Sequence, residues 1–203
     1  MKIRRQRKLI AATVTCAAAV VSLATTSQAS EPGFDCNKAD GQVPELICSN
    51  DQLAVLDQRL TEVYVTAMNT LRREDLPQLK TEQDGWIKGR DECWKSGEVT
   101  TCVTSEYQTR IVQLQIMSAQ LTAPAAASYD CGKNEHAPFF AAFYADTTPP
   151  AAVLTRGNDQ VIAFIDRSGS GARYTAEGVE FWEHQGEATL NWFGHEMKCN
   201  VME

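Results

Sequence analysis

The chain has 203 residues and a formal net charge of −7, a balance that excludes nucleic acid and anionic lipid as natural partners, since both recruit basic protein faces. An acidic surface fits either plain solubility or a basic partner protein drawn in by its charge.

At the N-terminus, Lys2, Arg4, Arg5, Arg7 and Lys8 precede an uncharged apolar run from Leu9 to Ala24. Ser27-Gln28-Ala29 then fits an export peptidase site, with cleavage before Ser30. The apolar run is short for a bilayer span, and Thr15 stands before Cys16 where a lipid-attachment site favours Gly, Ala or Ser. Residues 1–29 therefore read as a signal peptide, and the mature protein as periplasmic or secreted with no membrane span. Removing the peptide leaves 14 basic and 26 acidic residues, a net charge of −12. It also leaves an even set of cysteines: Cys36, Cys48, Cys93, Cys102, Cys131 and Cys199. In an oxidising compartment such a set reads as three disulfides. Zinc is disfavoured because no C-x-x-C pair and no histidine at finger spacing accompanies them, so no metal or cofactor is expected.

Residues 30–122 carry helical periodicity. Leu53, Leu56, Leu60, Val63, Tyr64, Ala67, Met68 and Leu71 recur on one stripe, and Ser49 with Gln52 suggests a capping box at its start. Pro77 separates a second helix with Leu79, Trp86, Ile87 and Cys93, and Gly97 turns into a third with Val103, Tyr107, Ile111, Leu114 and Leu121. Four cysteines here allow three pairings. The favoured one joins Cys36 to Cys48, closing an irregular loop, and Cys93 to Cys102 across a turn. Each short loop would contribute about 2–3 kcal/mol in the loop-entropy model.

Residues 123–128 (Ala-Pro-Ala-Ala-Ala-Ser) are a low-complexity linker. In residues 129–203 the period changes to two. Strands are expected at Phe139 to Tyr144, Ala151 to Leu154, Val161 to Ile165, Val179 to Trp182, Ala188 to Trp192 and Met197 to Val201. Proline and glycine clusters punctuate them. That pattern fits an antiparallel barrel or sandwich, with Cys131 and Cys199 tying its first strand to its last.

Catalytic constellations are thin. The histidines are His136, His184 and His195, with no H-E-x-x-H pair. Ser170 lies between Gly169 and Gly171, but a nucleophile elbow needs glycine two residues away on each side, where Ser168 and Ala172 stand. The glycine-rich loop leads into a strand-like Arg173-Tyr174-Thr175, whereas phosphate loops open helices. Glu177, Glu180, Glu183 and Glu187 fit solvated strand faces. A Ser170–His184 hydrolase would need demonstrated turnover to stand, and no catalytic residue is assigned.

The segment Ser168-Gly-Ser-Gly-Ala-Arg-Tyr174, followed by Phe181-Trp182-Glu-His-Gln-Gly-Glu-Ala-Thr-Leu190 and closing on Cys199, resembles the MliC/PliC family of membrane-bound and periplasmic inhibitors of c-type lysozyme. The opening Tyr129-Asp-Cys131 fits it too. Residues 34–121 are similar to the LprI-type inhibitor domain through Leu56-Asp57-x-x-Leu60-x-x-x-Tyr64, Gln83-x-x-Trp86-x-x-x-Arg90-x-x-Cys93, Cys102, and Tyr107-x-x-Arg110-x-x-x-Leu114. The polar members of that set suit a buried Arg–Asp network better than a contact surface. The expected architecture is α+β in two domains: a disulfide-stapled three-helix module, then a small antiparallel β-barrel.

The resemblance implies a non-enzymatic inhibitor of c-type lysozyme, guarding a Gram-negative envelope by inserting the 168–174 loop into the enzyme's cleft. That cleft holds one protonated and one ionised carboxyl group. Gly169 and Gly171 would allow tight backbone angles, Ser170 would meet one carboxyl, and a cation two residues after Trp182 would pair with the other. The family typically has lysine there; this chain has His184, whose charge depends on pH. Ser168, Arg173 and Tyr174 complete the expected contact set, Arg173 being able to fold back on Asp166. A rival reading is an envelope carbohydrate-binding module that stacks sugars on Trp182 and Trp192.

Overall fold

The structure, a computed structural model, describes residues 30–132 and 138–202. Residues 1–29, expected to be a signal peptide and including Cys16, and His136 lie outside the described residues. Helices α1 (Gln42–Ser49), α2 (Asp51–Thr70), α3 (Leu76–Asp91) and α4 (Val99–Met117) form the first half, with 3₁₀ turns at Cys36–Lys38 and Glu92–Lys95. Strands β1 (Ala126–Asp130), β2 (Phe139–Tyr144), β3 (Ala151–Arg156), β4 (Asp159–Asp166), β5 (Ala172–Ala176), β6 (Val179–His184), β7 (Glu187–Trp192) and β8 (His195–Val201) form the second. No helix among the described residues is long and apolar enough to cross a membrane.

The helical half gains one helix over the expected three. Segment 42–49 folds as α1, burying Val43 and Ile47, where an irregular loop was expected. This moves the start of α2. Ser49 closes α1 by donating to the Glu45 carbonyl at 2.9 Å, so it cannot form the expected capping box. Asn50 caps α2 instead, its Oδ1 accepting from the Gln52 and Leu53 amides at 3.0 and 3.1 Å. Leu53, Leu60 and Val63 of α2, Leu79 of α3, and Val103, Tyr107 and Leu114 of α4 fill the core. Disulfides join Cys36 to Cys48 and Cys93 to Cys102.

At the centre of this half sits a buried polar network. Tyr107 donates its hydroxyl to Asp57 Oδ1 at 2.7 Å, and Arg90 Nη1 donates to the Tyr107 oxygen at 2.8 Å. The Gly33 amide donates to Asp57 Oδ2 at 2.6 Å, while Arg90 Nε and Nη2 donate to Asp91 Oδ1 at 2.9 and 2.7 Å. Burial pushes the Tyr107 phenol well above its ordinary range, against the pull of the Arg90 charge. The Asp57, Arg90 and Tyr107 positions of the sequence motif thus tie α2, α3 and α4 together.

The eight strands are antiparallel neighbours in chain order and close as a barrel through β1 and β8. Strand β1 takes in Ala126, Ala127 and Ser128, three residues of the segment whose composition marks a linker, because they pair with Ala142, Ala141 and Phe140 of β2. The β1–β8 seam has only two residue pairs, Tyr129 with Val201 and Asp130 with Asn200. The Cys131–Cys199 disulfide lies beside it and fastens the first strand to the last. Inside, Tyr129, Phe139 and Phe181 stack with centroids 5.3–5.6 Å apart. This aromatic centre makes the barrel a filled core and a stiff base for its connections.

Candidate functional site

The glycine-rich segment connects β4 to β5 at one end of the barrel and is fixed from both sides. Asp166 and Arg173 are paired across β4 and β5, and Arg173 Nη2 donates to Asp166 Oδ2 at 2.5 Å. The Arg167 amide donates to Asp166 Oδ1 at 2.7 Å, and with the Arg173 contact it holds the Asp166 carboxyl below its ordinary range. Ser168 donates its hydroxyl to the Gly171 carbonyl at 2.9 Å. From β6, the Trp182 indole N–H donates to the Ser170 carbonyl at 2.8 Å. The loop is thereby preorganised, with its turn drawn toward the outer face of β6.

Gly171 has φ +66°, and a Cβ there would lie 2.2 Å from the Glu183 carbonyl oxygen and 2.9 Å from His184 Cβ. Only glycine fits both that backbone angle and that approach. Gly169 differs from expectation: it lies outside the left-handed region, and a Cβ there would meet nothing within 4 Å. Its tolerance of unusual angles is not used in this conformation.

The expected contact residues separate into two groups. Ser170 and His184 line one concavity of about 410 Å³ with Trp182, Glu187, Thr189 and Lys198. Among the described residues the Ser170 hydroxyl makes no hydrogen bond, to His184 or to any other group, so it is free to bond a partner. Ser168, Arg173 and Tyr174 are engaged within the protein. Tyr174 is buried, its ring 5.5 Å from that of Phe143, and burial, helped by the Glu183 charge, raises its phenol pKa. Its place is to support the loop from inside the barrel.

Two residues read differently in three dimensions. Trp192 is only 6% exposed because it alternates inward with Leu190 and Ala188, which removes one of the two expected sugar-stacking surfaces. Trp182 is 40% exposed, on the outer face of β6, but its N–H serves the loop. Lys198 carried no signal in the sequence beyond its outward place between buried Met197 and Cys199. The barrel register brings it into the site: Trp182 faces Thr189 across β6 and β7, and Thr189 faces Lys198 across β7 and β8.

Comparison with known proteins covers both halves. Residues 36–124 match the family model described as lysozyme inhibitor LprI. Residues 129–198 match the model described as membrane-bound lysozyme-inhibitor of c-type lysozyme. Similar curated proteins include lipoprotein LprI of Mycobacterium bovis and lipoprotein LprI of Mycobacterium tuberculosis. Each is 39% identical over 177 residues, which span 87% of this chain and 88% of the relative. No solved structure matches the chain significantly.

Proposed function

Because the chain belongs to the LprI family of lysozyme inhibitors and carries a barrel matching the c-type-inhibitor model, we propose that it inhibits c-type lysozyme without turnover, by entering the cleft with residues 168–171. It would act in the cell envelope, as a periplasmic protein, or after secretion. The observation that carries this reading is the tethered loop: Trp182 holds the Ser170 carbonyl, and the Ser170 hydroxyl is left unpaired beside His184 in one concavity. Ser170 would hydrogen-bond one catalytic carboxyl. His184, exposed at the end of β6, would take a proton as it meets the other and form a charge-assisted bond.

The loop's internal bonds lower the ordering cost of binding, since a preformed loop loses little freedom in the complex. The acidic balance favours capture of a basic enzyme by steering, which acts on the association rate and weakens with salt.

The test is lysozyme activity on cell walls with the mature protein beside a Ser170→Ala/His184→Ala double variant. Losing two bonds to charged groups weakens inhibition by at least about a hundredfold. Inhibition retained in the double variant would move the credit to the helical half. For His184 alone, the ratio of wild-type to His184→Gln inhibition constants cancels the enzyme's own titration. The wild type should be favoured at pH 5 and the advantage should fade toward pH 8; a flat ratio refutes the histidine's role.

A further inference from the structure

We infer that Lys198 on β8 is the main carboxylate-binding cation of this face, with His184 beside it as an auxiliary; the inference rests on the barrel loop being the inhibitory surface. The basic side chains around the loop are not equivalent. Arg173 is neutralised by Asp166 at 2.5 Å. Arg167 stands on the β4 side and does not line the concavity. Imidazole carries little charge above neutral pH. Lys198 lines the same concavity as Ser170 and makes no ion pair among the described residues.

Register gives the reach. Lys198 lies two strands from Trp182, the residue that tethers the loop, or about 10 Å at the usual spacing between strands. A flexible four-carbon stem can carry the ammonium from there toward a carboxylate held beside Ser170.

Electrostatics give the need. The outward carboxylates bordering Lys198 are Glu187 on β7, Glu196 on β8 and Asp130 on β1, all exposed. Glu187 itself lines the concavity. With His184 neutral and Lys198 absent, that hollow would carry net negative charge and repel an incoming carboxylate. Lys198 offsets the Glu187 charge inside the concavity, so its removal costs the partner an attractive contact and also uncovers Glu187.

The experiment compares inhibition constants against a purified c-type lysozyme at pH 5, 6.5 and 8 for four variants of the full mature chain: Lys198→Met, Lys198→Arg, His184→Gln and Ser170→Ala. Lys198→Met should weaken inhibition about tenfold at every pH, and Lys198→Arg should restore most of it, which separates lost charge from misfolding. His184→Gln should weaken inhibition most at pH 5 and progressively less toward pH 8. If Lys198→Met stays within twofold of wild type at pH 8 while Ser170→Ala is impaired, the assignment of Lys198 is wrong and the loop reading survives. If Ser170→Ala also inhibits fully, the loop reading fails and Lys198 falls with it.

Discussion

Replacing Gly171 by alanine challenges the loop at its tightest point. The left-handed φ of +66° costs an L-residue about 1–2 kcal/mol. The new methyl would also lie 2.2 Å from the Glu183 carbonyl oxygen, a backbone atom that no rotamer change can move. Glu183 is the register partner of Ala172 at the first rung between β5 and β6, so relief requires the start of β5 to lift away from β6. That movement breaks the Trp182–Ser170 hydrogen bond, worth about 1 kcal/mol. The combined cost of about 2–3 kcal/mol corresponds to a fall in Tm of roughly 10–20 °C for a domain of this size. Inhibition measured at 25 °C, where the barrel is still folded, should weaken at least about tenfold because the loop is released. Gly169→Ala is the control: with open space around it, it should melt no lower than wild type. Paired thermal melts and inhibition assays decide the matter. A Gly171→Ala variant that melts and inhibits like wild type, or a Gly169→Ala variant that is equally destabilised, would refute the reasoning.

Two further perturbations probe the two cores. Asp57→Ala removes the acceptor for both the Tyr107 hydroxyl and the Gly33 amide and deprives Arg90 of its second carboxylate, so urea titration of the helical signal should register a loss of about 3–5 kcal/mol; a loss under about 1 kcal/mol would mean the network is dispensable. In the barrel, burial, aided by the Glu183 charge, pushes Tyr129 from 10.0 up to about 12, and Tyr174 moves the same way. The folded state thus favours the protonated phenols: their contribution is fully present below pH 10 and is lost as pH rises through about 12. Barrel melting temperatures should hold up to pH 10 and fall beyond it, and a level profile through pH 12 would contradict the burial assigned to these rings.

Much of the barrel was legible because its strands are made of residues that favour the pleat. Phe139–Tyr144 is aromatic-rich and was bounded correctly. Strand β1 was not, since Ala126 and Ala127 carry no strand preference and are strand only through pairing with β2. Helix α1 was hidden for a similar reason: eight residues containing Pro44 are too short for a strong period. In the site, the alternation Val179-Glu180-Phe181-Trp182 already placed Trp182 outward, and Ala188, Leu190 and Trp192 in one register already placed Trp192 inward. The exposure of Trp192 was therefore a misreading of an available pattern. Lys198 was beyond reach, because its neighbourhood depends on the relative register of β6, β7 and β8, which no single segment encodes.

The contrast between the halves bears on where binding free energy can arise. In the helical half, Asp57, Arg90 and Tyr107 satisfy one another at 2.7–2.8 Å, and Asp91 holds the rest of the Arg90 guanidinium. A partner engaging those charges would have to break bonds already made in a buried setting, where leaving one member unpaired is strongly unfavourable. On the barrel, the Ser170 hydroxyl and the Lys198 ammonium stand at the surface without partners among the described residues, beside a loop held by the Ser168–Gly171, Trp182–Ser170 and Arg173–Asp166 bonds. New bonds there replace only bonds to water. Groups left unpaired on a rigid support offer a basic enzyme the more favourable exchange, and this favours the barrel loop over the helical network as the inhibitory surface.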